Sequence, residues 1–282
     1  MSGTPYAAVE SSSAATPRSS NTITALFLGD VIGQAGARAV FAHLKQIAKR
    51  VSADIVIVNG ENASEGFGLT PETVTSLFDG GAMVITTGNH VWQRKELYSL
   101  LDEEPRLLRP ANYPPGSPGH GSCVVDVRGI PVAVVNLQGR KRMPPIDCPF
   151  RKATDLIRSF ERDTRIILID FHAEATDEKE AFAHHLDGSV SAIVGTHTHV
   201  ATNDAHVLPK GTAYQTDIGA CGPGDSVIGF APEISIRRAM TQLPIKNEVS
   251  GQPVVLHGTA VTIEVESGHA LSITPVQEQS TF

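Results

Sequence analysis

Five short hydrophobic runs in this chain each lead into polar residues of types that bind metal ions. The runs cover residues 25–28, 55–58, 83–85, 166–169 and 192–194. The polar residues that follow them are Asp30, Glu61, Asn62, Asn89, His172, His197 and His199. In open α/β sheets, ligands bind in the crevice beyond the carboxyl ends of the strands, so we expect these side chains to converge. The pattern restricts the chain to an α/β fold with a polar site at one edge of a sheet.

Short β-branched runs alternate with helical stretches from Thr22 onward, an order that favours a mostly parallel sheet. Helices are predicted at residues 36–50, 71–78, 91–101, 151–161 and 177–186. Strands are predicted at residues 22–28, 55–58, 123–127, 132–136, 212–215, 253–265 and 270–274. The strands at 123–127 and 132–136 are predicted to form a hairpin. The strands of the C-terminal third suggest a second sheet packed on the first.

The chain is predicted to contain one folded domain. Residues 1–21 are rich in Ser, Ala and Thr and lack an apolar segment, so we expect a disordered leader. Residues 22–282 can bury a substantial core as a single domain. Five prolines lie within residues 103–121, and residues 138–149 form a second Pro-rich, basic loop. The interval around residues 103–149 is therefore expected to hold long ordered loops or a small cap over the site.

Composition excludes some classes of function. The net charge is −7, from 23 Lys and Arg against 30 Asp and Glu, which argues against a broad nucleic-acid-binding surface. Cys123, Cys148 and Cys221 show no C-x-x-C spacing, so free thiols are expected. No apolar run approaches the ~20 residues needed to span a bilayer, so we expect a soluble, cytoplasmic protein. Assembly into a homo-oligomer is left open.

His197 and His199 form the sharpest local signal, because alternate residues of an extended segment point to the same side. Taken alone, an H-x-H pair is more often two ordinary polar histidines. At least six potential ligands are expected to converge here, more than the four that one zinc ion needs, so two ions sharing a carboxylate are predicted. A mixed set of carboxylate, imidazole and amide groups favours divalent iron or manganese, with zinc as an alternative.

Two of these residues also have an ordinary structural alternative. Asp30 could cap the following helix, and Asn89 could stabilise a turn. Taken together, the structural alternatives would require five coincidences at strand ends, so we favour the metal site. Arg109 and Asn112 could contact a substrate from the cap, although a loop salt bridge accounts for Arg109 equally well.

Several motifs recur in the order found in a known family. They are Gly29-Asp30-Val31-Ile32-Gly33, Asn59-Gly60-Glu61-Asn62-Ala63, Thr87-Gly88-Asn89-His90-Val91-Trp92, His185-Leu186-Asp187-Gly188 and Gly195-Thr196-His197-Thr198-His199. From about Thr22 to Glu266, the chain resembles the YmdB-like branch of the calcineurin-like metallophosphoesterases. The resemblance implies an α/β β-sandwich flanked by helices in the order α/β/β/α, with a small cap region.

The resemblance also implies roles for individual residues. Glu61 looks like the carboxylate that bridges two metal ions, and His90 looks like the proton donor to the leaving oxygen. The other ligands implied are Asp30, Asn62 and His199 for the first ion, and Asn89, His172 and His197 for the second. The superfamily usually opens with D-x-H, which Asp30-Val31-Ile32 lacks. Family members often carry an aromatic residue where this chain has Gly224, so a substrate-stacking contact is expected to be missing.

The expected function is that of a dinuclear metal-dependent phosphodiesterase in which a metal-bound hydroxide attacks the phosphorus. The resemblance points to 2′,3′- and 3′,5′-cyclic nucleotides as substrates. The nearest alternative is a phosphomonoesterase acting on nucleotides or phosphoproteins. A regulatory protein that binds a nucleotide or an RNA-linked partner without turnover is a second alternative, and a dinuclear amidohydrolase is a third.

Overall fold

The fold consists of two β-sheets packed face to face with helices on both outer sides. A computed structural model describes residues 21–160, 162–251 and 253–280. The expected leader, residues 1–21, therefore lies outside the described residues apart from Asn21. The helices are α1 (Gly33–Arg50), α2 (Pro71–Gly80), α3 (Tyr98–Glu103), α4 (Pro149–Phe160), α5 (Thr176–Leu186) and α6 (Pro232–Thr241), with a 3₁₀ turn at Lys95–Leu97.

Fourteen strands are present in the described residues. In chain order they are β1 (Thr22–Leu28), β2 (Asp30–Val31), β3 (Ile55–Asn59), β4 (Val84–Thr86), β5 (Leu107–Leu108), β6 (Ser122–Val127), β7 (Ile130–Gln138), β8 (Ile166–His172), β9 (Ala192–Thr196), β10 (His206–Val207), β11 (Ala213–Gln215), β12 (Ala220–Pro223), β13 (Val254–Glu264) and β14 (Ala270–Gln279). The first sheet has the order β2-β12-β13-β1-β3-β4-β5, with β14 beside β13. The second has the order β10-β11-β9-β8-β7-β6.

The central strands of both sheets are parallel and end at the same side of the molecule. In the first sheet, β1, β3, β4 and β5 run parallel, and in the second, β7, β8, β9 and β11 do. Crossover connections between parallel strands place helices on the outer faces. The carboxyl ends of the two sets of strands therefore form one crevice, which is where ligands bind in sheets of this kind.

Alternation of side chains along β1 shows how the layers pack. Ile23, Ala25 and Phe27 belong to the core between the two sheets, whereas Leu26 and Leu28 pack toward α1 and α2. A third core lies between the second sheet and the pair α4 and α5. This is the α/β/β/α order, and the predicted α/β sandwich with flanking helices is confirmed. Among the described residues, none of the helices combines the length and apolarity that crossing a lipid bilayer requires.

The predicted helix over residues 91–101 is wrong in its first half. Arg94 has an extended backbone with φ −120° and ψ 108°, and the chain becomes helical only from Lys95. The backbone N–H of His90 donates to Glu61 Oε1 at 2.8 Å. This contact fixes the start of the turn that lies before Arg94. A tertiary contact thus overrides the local helical pattern.

The expectation that the C-terminal strands build the second sheet is also wrong for β13 and β14. β13 pairs with the whole of β1, from Thr22 opposite Glu264 to Leu28 opposite Gly258, and β14 pairs with β13. Within the interval 103–149, β5 is a strand of the first sheet, and β6 and β7 are strands of the second. Only the loops around these three strands remain as candidates for a cap.

The three free thiols are expected to differ in reactivity. Burial raises the pKa of both Cys123 and Cys221 to about 12. Partial burial acts in the same direction on Cys148, but N–H groups of Arg151 and Phe150 and the charge of Arg140 outweigh it and lower its pKa. Since the thiolate is the reactive form, Cys148 should be alkylated first by iodoacetamide near pH 7.5. Peptide mass spectrometry measures the three rates, with denatured protein as the control, and equal rates in the folded protein would contradict this assignment.

Candidate metal centre

Every residue predicted for the site lies at the crevice where the parallel strands end. Asp30 begins β2, Glu61 and Asn62 follow β3, Asn89 and His90 follow β4, His172 ends β8, and His197 and His199 follow β9. Contacts of their side chains, together with the backbone N–H of His197, join them into one network. The structure therefore brings together all eight residues singled out from the sequence.

Glu61 occupies the middle of this network and is 1% exposed. Its Oε1 accepts the backbone N–H of His90 at 2.8 Å and lies 2.9 Å from His90 Nδ1. The same oxygen lies 3.4 Å from His172 Nε2. One carboxylate oxygen thus contacts both His172 and His90, and His90 in turn contacts Asn62.

The first group of side chains contains Asp30, Asn62 and His199. Asn62 Nδ2 lies 2.9 Å from His199 Nε2, and Asn62 Oδ1 lies 3.0 Å from His90 Nδ1. Asp30 is fully buried, and its Oδ1 lies 4.0 Å from His199 Nε2. Asp30 and Asn62 thus both lie beside the ring of His199.

The second group contains Asn89, His172 and His197. The Nε2 atom of His172 lies 3.2 Å from Asn89 Oδ1 and 3.0 Å from His197 Nδ1. Together with Glu61 Oε1, three groups compete for one ring nitrogen that can donate at most one hydrogen bond. A cation shared by these atoms would satisfy them better than a single proton does.

In His172, His197 and His199, one ring nitrogen faces the other site residues, and the second nitrogen contacts a group outside the predicted set. His172 Nδ1 lies 2.9 Å from Thr196 Oγ1, and that hydroxyl donates to Asp170 Oδ1 at 2.7 Å. Such contacts fix the tautomer and ring orientation of metal-binding histidines. The remaining nitrogen of His172, Nε2, therefore faces the crevice.

The same arrangement holds for the H-x-H pair. His197 Nε2 lies 3.3 Å from Glu174 Oε2, and His199 Nδ1 donates to the carbonyl oxygen of Ile228 at 2.9 Å. Sequence reasoning missed Glu174, Ile228, Thr196 and Asp170 as members of the site. Asp170 alone carried a usable signal, because it precedes His172 by two residues on β8 and so shares its face.

Burial and charge perturb the acid–base properties of the site. Burial by itself would raise the pKa of Glu61, but His172 and His90 together hold it well below its usual range. Burial opposes the charged form of His172, yet Glu61, Asp30 and Asp170 raise its pKa to about 9. Burial and the neighbouring His172 lower the pKa of His197 to about 3. The site thus combines an anionic carboxylate with imidazoles whose proton affinities are pushed apart, as is common at functional sites.

Two buried carboxylate oxygens show that the site fits a cation. Asp30 Oδ1 and Glu61 Oε2 accept no hydrogen bond from any described residue. Leaving a buried charged oxygen without a partner is costly, and a metal ion removes that cost. In the described residues, no three His, Cys, Asp or Glu side chains are placed so that they could hold one metal ion together. The fit therefore rests on the donor types, which suit iron, manganese or zinc, and on these two oxygens.

His90 differs from the other histidines of the site. Both acceptors near it, Glu61 Oε1 and Asn62 Oδ1, lie within 3.0 Å of Nδ1. Its side chain is 24% exposed, and its ring meets Phe67 edge to face at 5.1 Å. Nδ1 is therefore engaged as a donor, and Nε2 is left to exchange a proton with a bound molecule.

Neither Arg109 nor Gly224 contributes to this network through the contacts of the described residues. The guanidinium of Arg109 donates to the carbonyl oxygens of Pro110, Ser117 and Pro118, so it holds its own loop together. Gly224 is exposed, and its N–H donates to Pro253 O. The missing stacking contact at Gly224 stays a prediction.

Asn112 has a different function from the one expected for it. Its side chain donates to the carbonyl oxygens of Gln138 and Asp147 and accepts the N–H of Gln138. It is 1% exposed. Asn112 therefore joins the two Pro-rich loops to β7, and both polar atoms of its amide take part in these contacts.

Replacing Gly88 with alanine is expected to displace His172. A Cβ at Gly88 would lie 2.2 Å from Cδ2 and 2.3 Å from Nε2 of the His172 ring. That ring is fully buried and cannot move without disturbing its neighbours. We expect metal affinity to fall about 10-fold or more, measured as metal retained after dialysis. Gly251→Ala, which meets no atom within 4 Å, is the control and should retain its metal.

Comparisons with known proteins identify relatives of this chain. A family model described as YmdB-like protein matches residues 26–276. A Bacillus subtilis (strain 168) protein named 2′,3′-cyclic-nucleotide 2′-phosphodiesterase is 45% identical over 248 residues, which cover 88% of this chain and 94% of that protein. The crystal structure of a protein titled a novel phosphatase from Mycoplasma pneumoniae is 37% identical, with a TM-score of 0.87, and the match covers 92% of this chain and 94% of that one.

A more distant structure shows the fold alone. A Staphylococcus aureus protein assigned as a 5′-nucleotidase is 15% identical, with a TM-score of 0.57. The match covers 93% of this chain and 55% of that one. The two-sheet architecture is therefore shared well beyond the range in which the sequences are similar.

Proposed function

The chain belongs to the YmdB-like family, and on that premise we propose that this phosphoric ester hydrolase opens 2′,3′-cyclic nucleotides at a dinuclear metal centre. The position of Glu61 carries the proposal. Its buried carboxylate lies 3.4 Å from His172 of the second group and 2.9 Å from His90 Nδ1, which also contacts Asn62 of the first group. The chain's relative in Bacillus subtilis, which is named 2′,3′-cyclic-nucleotide 2′-phosphodiesterase, supports the choice of substrate.

In the proposed hydrolysis, Glu61, Asn62 and His90 have different roles. When bound, two divalent ions would neutralise charge on the phosphate oxygens and make a water molecule more acidic. Glu61 would keep the two metal positions together. His90 would donate the Nε2 proton to the leaving 2′ oxygen, while Glu61 and Asn62 hold its Nδ1 atom. The water oxygen bonds to phosphorus as the bond to the 2′ oxygen breaks, which leaves a 3′-phosphate.

Elemental analysis combined with product analysis tests this proposal. Protein reconstituted with manganese or iron should hold about two ions per chain. It should convert 2′,3′-cyclic AMP to 3′-AMP, which chromatography separates from 2′-AMP. Reconstituted protein that holds two ions and leaves cyclic phosphates intact would overturn the substrate assignment. Protein that takes up no metal would overturn the dinuclear centre.

A phosphomonoesterase is the second candidate, favoured by the name of the Mycoplasma pneumoniae structure. Both reactions would use the same ligands, so the substrate pocket decides between them. Initial rates on 2′,3′-cyclic AMP, 3′,5′-cyclic AMP and 5′-AMP, measured with one preparation, separate the candidates. Fastest turnover of 5′-AMP would favour the monoesterase. Tight nucleotide binding without turnover of any of the three would favour a regulatory binding protein.

A further inference from the structure

The turn that carries His197 and His199 has an unfavourable backbone conformation. The φ angles of these two residues are 101° and 64°. Side chains other than glycine rarely occupy this left-handed region, and where they do, the surrounding structure must hold them there. Asp30 Oδ2 holds one side of the turn by accepting the N–H of His197 at 3.0 Å. The turn therefore needs a second anchor to fix both imidazoles.

Asp217 supplies that second anchor through Thr198, the residue between the two histidines. Its Oδ2 accepts the backbone N–H of Thr198 at 3.0 Å and the hydroxyl of Thr198 at 2.8 Å. Its Oδ1 accepts the N–H of Gly219 at 2.9 Å. Asp217 is fully buried. A single carboxylate thus links the turn to the chain segment that precedes β12.

Lys179 balances the charge of Asp217. It lies on α5, is 1% exposed, and places Nζ 2.9 Å from Asp217 Oδ2. The same Nζ donates to the carbonyl oxygen of Thr196 at 2.8 Å, directly before the turn. Lys179 packs closely against Gly195, where a Cβ would lie 3.1 Å from Lys179 Cδ. The same Cβ would lie 1.7 Å from Thr216 O, so the backbone also leaves no space for a side chain there.

An ion pair that served only to stabilise the core would not need these particular contacts. Apolar residues of similar volume often stabilise a core as well as a buried ion pair does. Here, apart from the bond of Gly219 to Asp217, the hydrogen bonds that the two charged groups make to other residues go to the backbone or hydroxyl of Thr196 and Thr198, which flank His197. Neither Lys179 nor Asp217 contacts the reacting groups of the proposed mechanism.

We propose that the buried Lys179–Asp217 pair is a positioning device that anchors Thr198 and thereby sets the metal affinity of His197 and His199. The inference rests on the proposed metal centre. Residues outside the coordination sphere typically change metal affinity by about 10–100-fold when they are replaced. The hydroxyl of Thr198 is the part of the device that can be removed without leaving a buried charge unpaired.

Titration of metal-free, full-length protein with Co²⁺ tests the inference. Equilibrium dialysis gives the affinity, and the visible absorption band of bound Co²⁺ reports the geometry of its ligands. Thr198→Val keeps the shape of the side chain and removes the hydroxyl, whereas Thr198→Ser keeps the hydroxyl and removes the methyl group. We expect Co²⁺ binding about 10-fold weaker in Thr198→Val, with a shifted band, and wild-type binding in Thr198→Ser.

Two further variants separate positioning from general destabilisation. Asp217→Asn should weaken Co²⁺ binding at least as much as Thr198→Val. Asp204→Asn is the matched control, because Asp204 also accepts hydrogen bonds from backbone and hydroxyl groups, at Thr202 and Thr216, without touching the turn. Its Co²⁺ affinity should equal that of the wild type.

The outcomes distinguish this inference from the proposed function. Equal weakening in Thr198→Val and Thr198→Ser, or in Asp217→Asn and Asp204→Asn, would overturn the positioning role and leave the metal centre intact. Unchanged binding in Thr198→Val and Asp217→Asn would do the same. A wild-type protein that binds no Co²⁺ would overturn the metal centre and this inference with it.

Discussion

Replacing Glu61 with glutamine is expected to abolish most turnover and release at least one metal ion while the chain stays folded. Glutamine keeps the volume of the side chain but loses the negative charge and offers an N–H₂ group where a bridging ligand needs an oxygen. Metal ions contribute several kcal/mol of charge stabilisation to the transition state, so the loss corresponds to about 10³-fold or more in rate. The expected phenotype is thus loss of both metal and activity.

Metal content and turnover of 2′,3′-cyclic AMP measure this effect directly. Near-ultraviolet circular dichroism shows whether the fold persists. Glu65→Gln is the matched control, because the Glu65 side chain is 70% exposed and pairs with Arg94 at the surface. That control should keep two metal ions and wild-type turnover. Two tightly held ions and undiminished turnover in Glu61→Gln would rule out a bridging role for Glu61.

The positions of the site residues could be predicted because the signals that place them are local. A hydrophobic run that ends on Asp170-Phe171-His172, or on Gly195-Thr196-His197, marks the carboxyl end of a strand within a few residues. Parallel strands then bring such ends to one edge without further information. Convergence of the site therefore follows from the pattern, although the pairing of individual strands does not.

The hydrophobic pattern could not predict which strands pair with each other over long distances in the sequence. Periodicity identifies β13 as a strand, but nothing in its sequence shows that it lies beside β1 instead of joining β11 in the second sheet. The contacts between elements decide such pairings. The turn at residues 91–94 was missed for a similar reason, because the contact of His90 with Glu61 fixes it from outside the segment.

Some of the residues that contact the site histidines could be recognised in the sequence, and others could not. The pair Asp170 and His172 has the i, i+2 spacing of side chains on one face of a strand, so it is readable in the sequence. Ile228 contributes only its backbone carbonyl oxygen to His199, and a backbone group leaves no sequence signal. Lys179 looks like an exposed helical lysine until α5 is packed on the second sheet.

Replacing His90 with alanine should slow the cleavage of 2′,3′-cyclic AMP by about 10²–10⁴-fold, the usual contribution of a general acid. The leaving 2′ oxygen of ribose is a poor leaving group without a proton. p-Nitrophenolate leaves readily without one, so bis(p-nitrophenyl) phosphate should lose far less rate in the same variant. The ratio of the two losses identifies proton donation and is insensitive to the fraction of active protein.

His90→Asn separates the two nitrogens of this residue. Asparagine can place an N–H near the Nδ1 position, where Glu61 and Asn62 accept it, but has no counterpart of Nε2. Its metal content should therefore stay at the wild-type level while its rate on 2′,3′-cyclic AMP falls as far as that of His90→Ala. Equal losses on both substrates, accompanied by loss of metal, would instead make His90 a group that maintains Glu61 and Asn62. Because His90 touches both of them, only this comparison of leaving groups at constant metal content assigns the proton to Nε2.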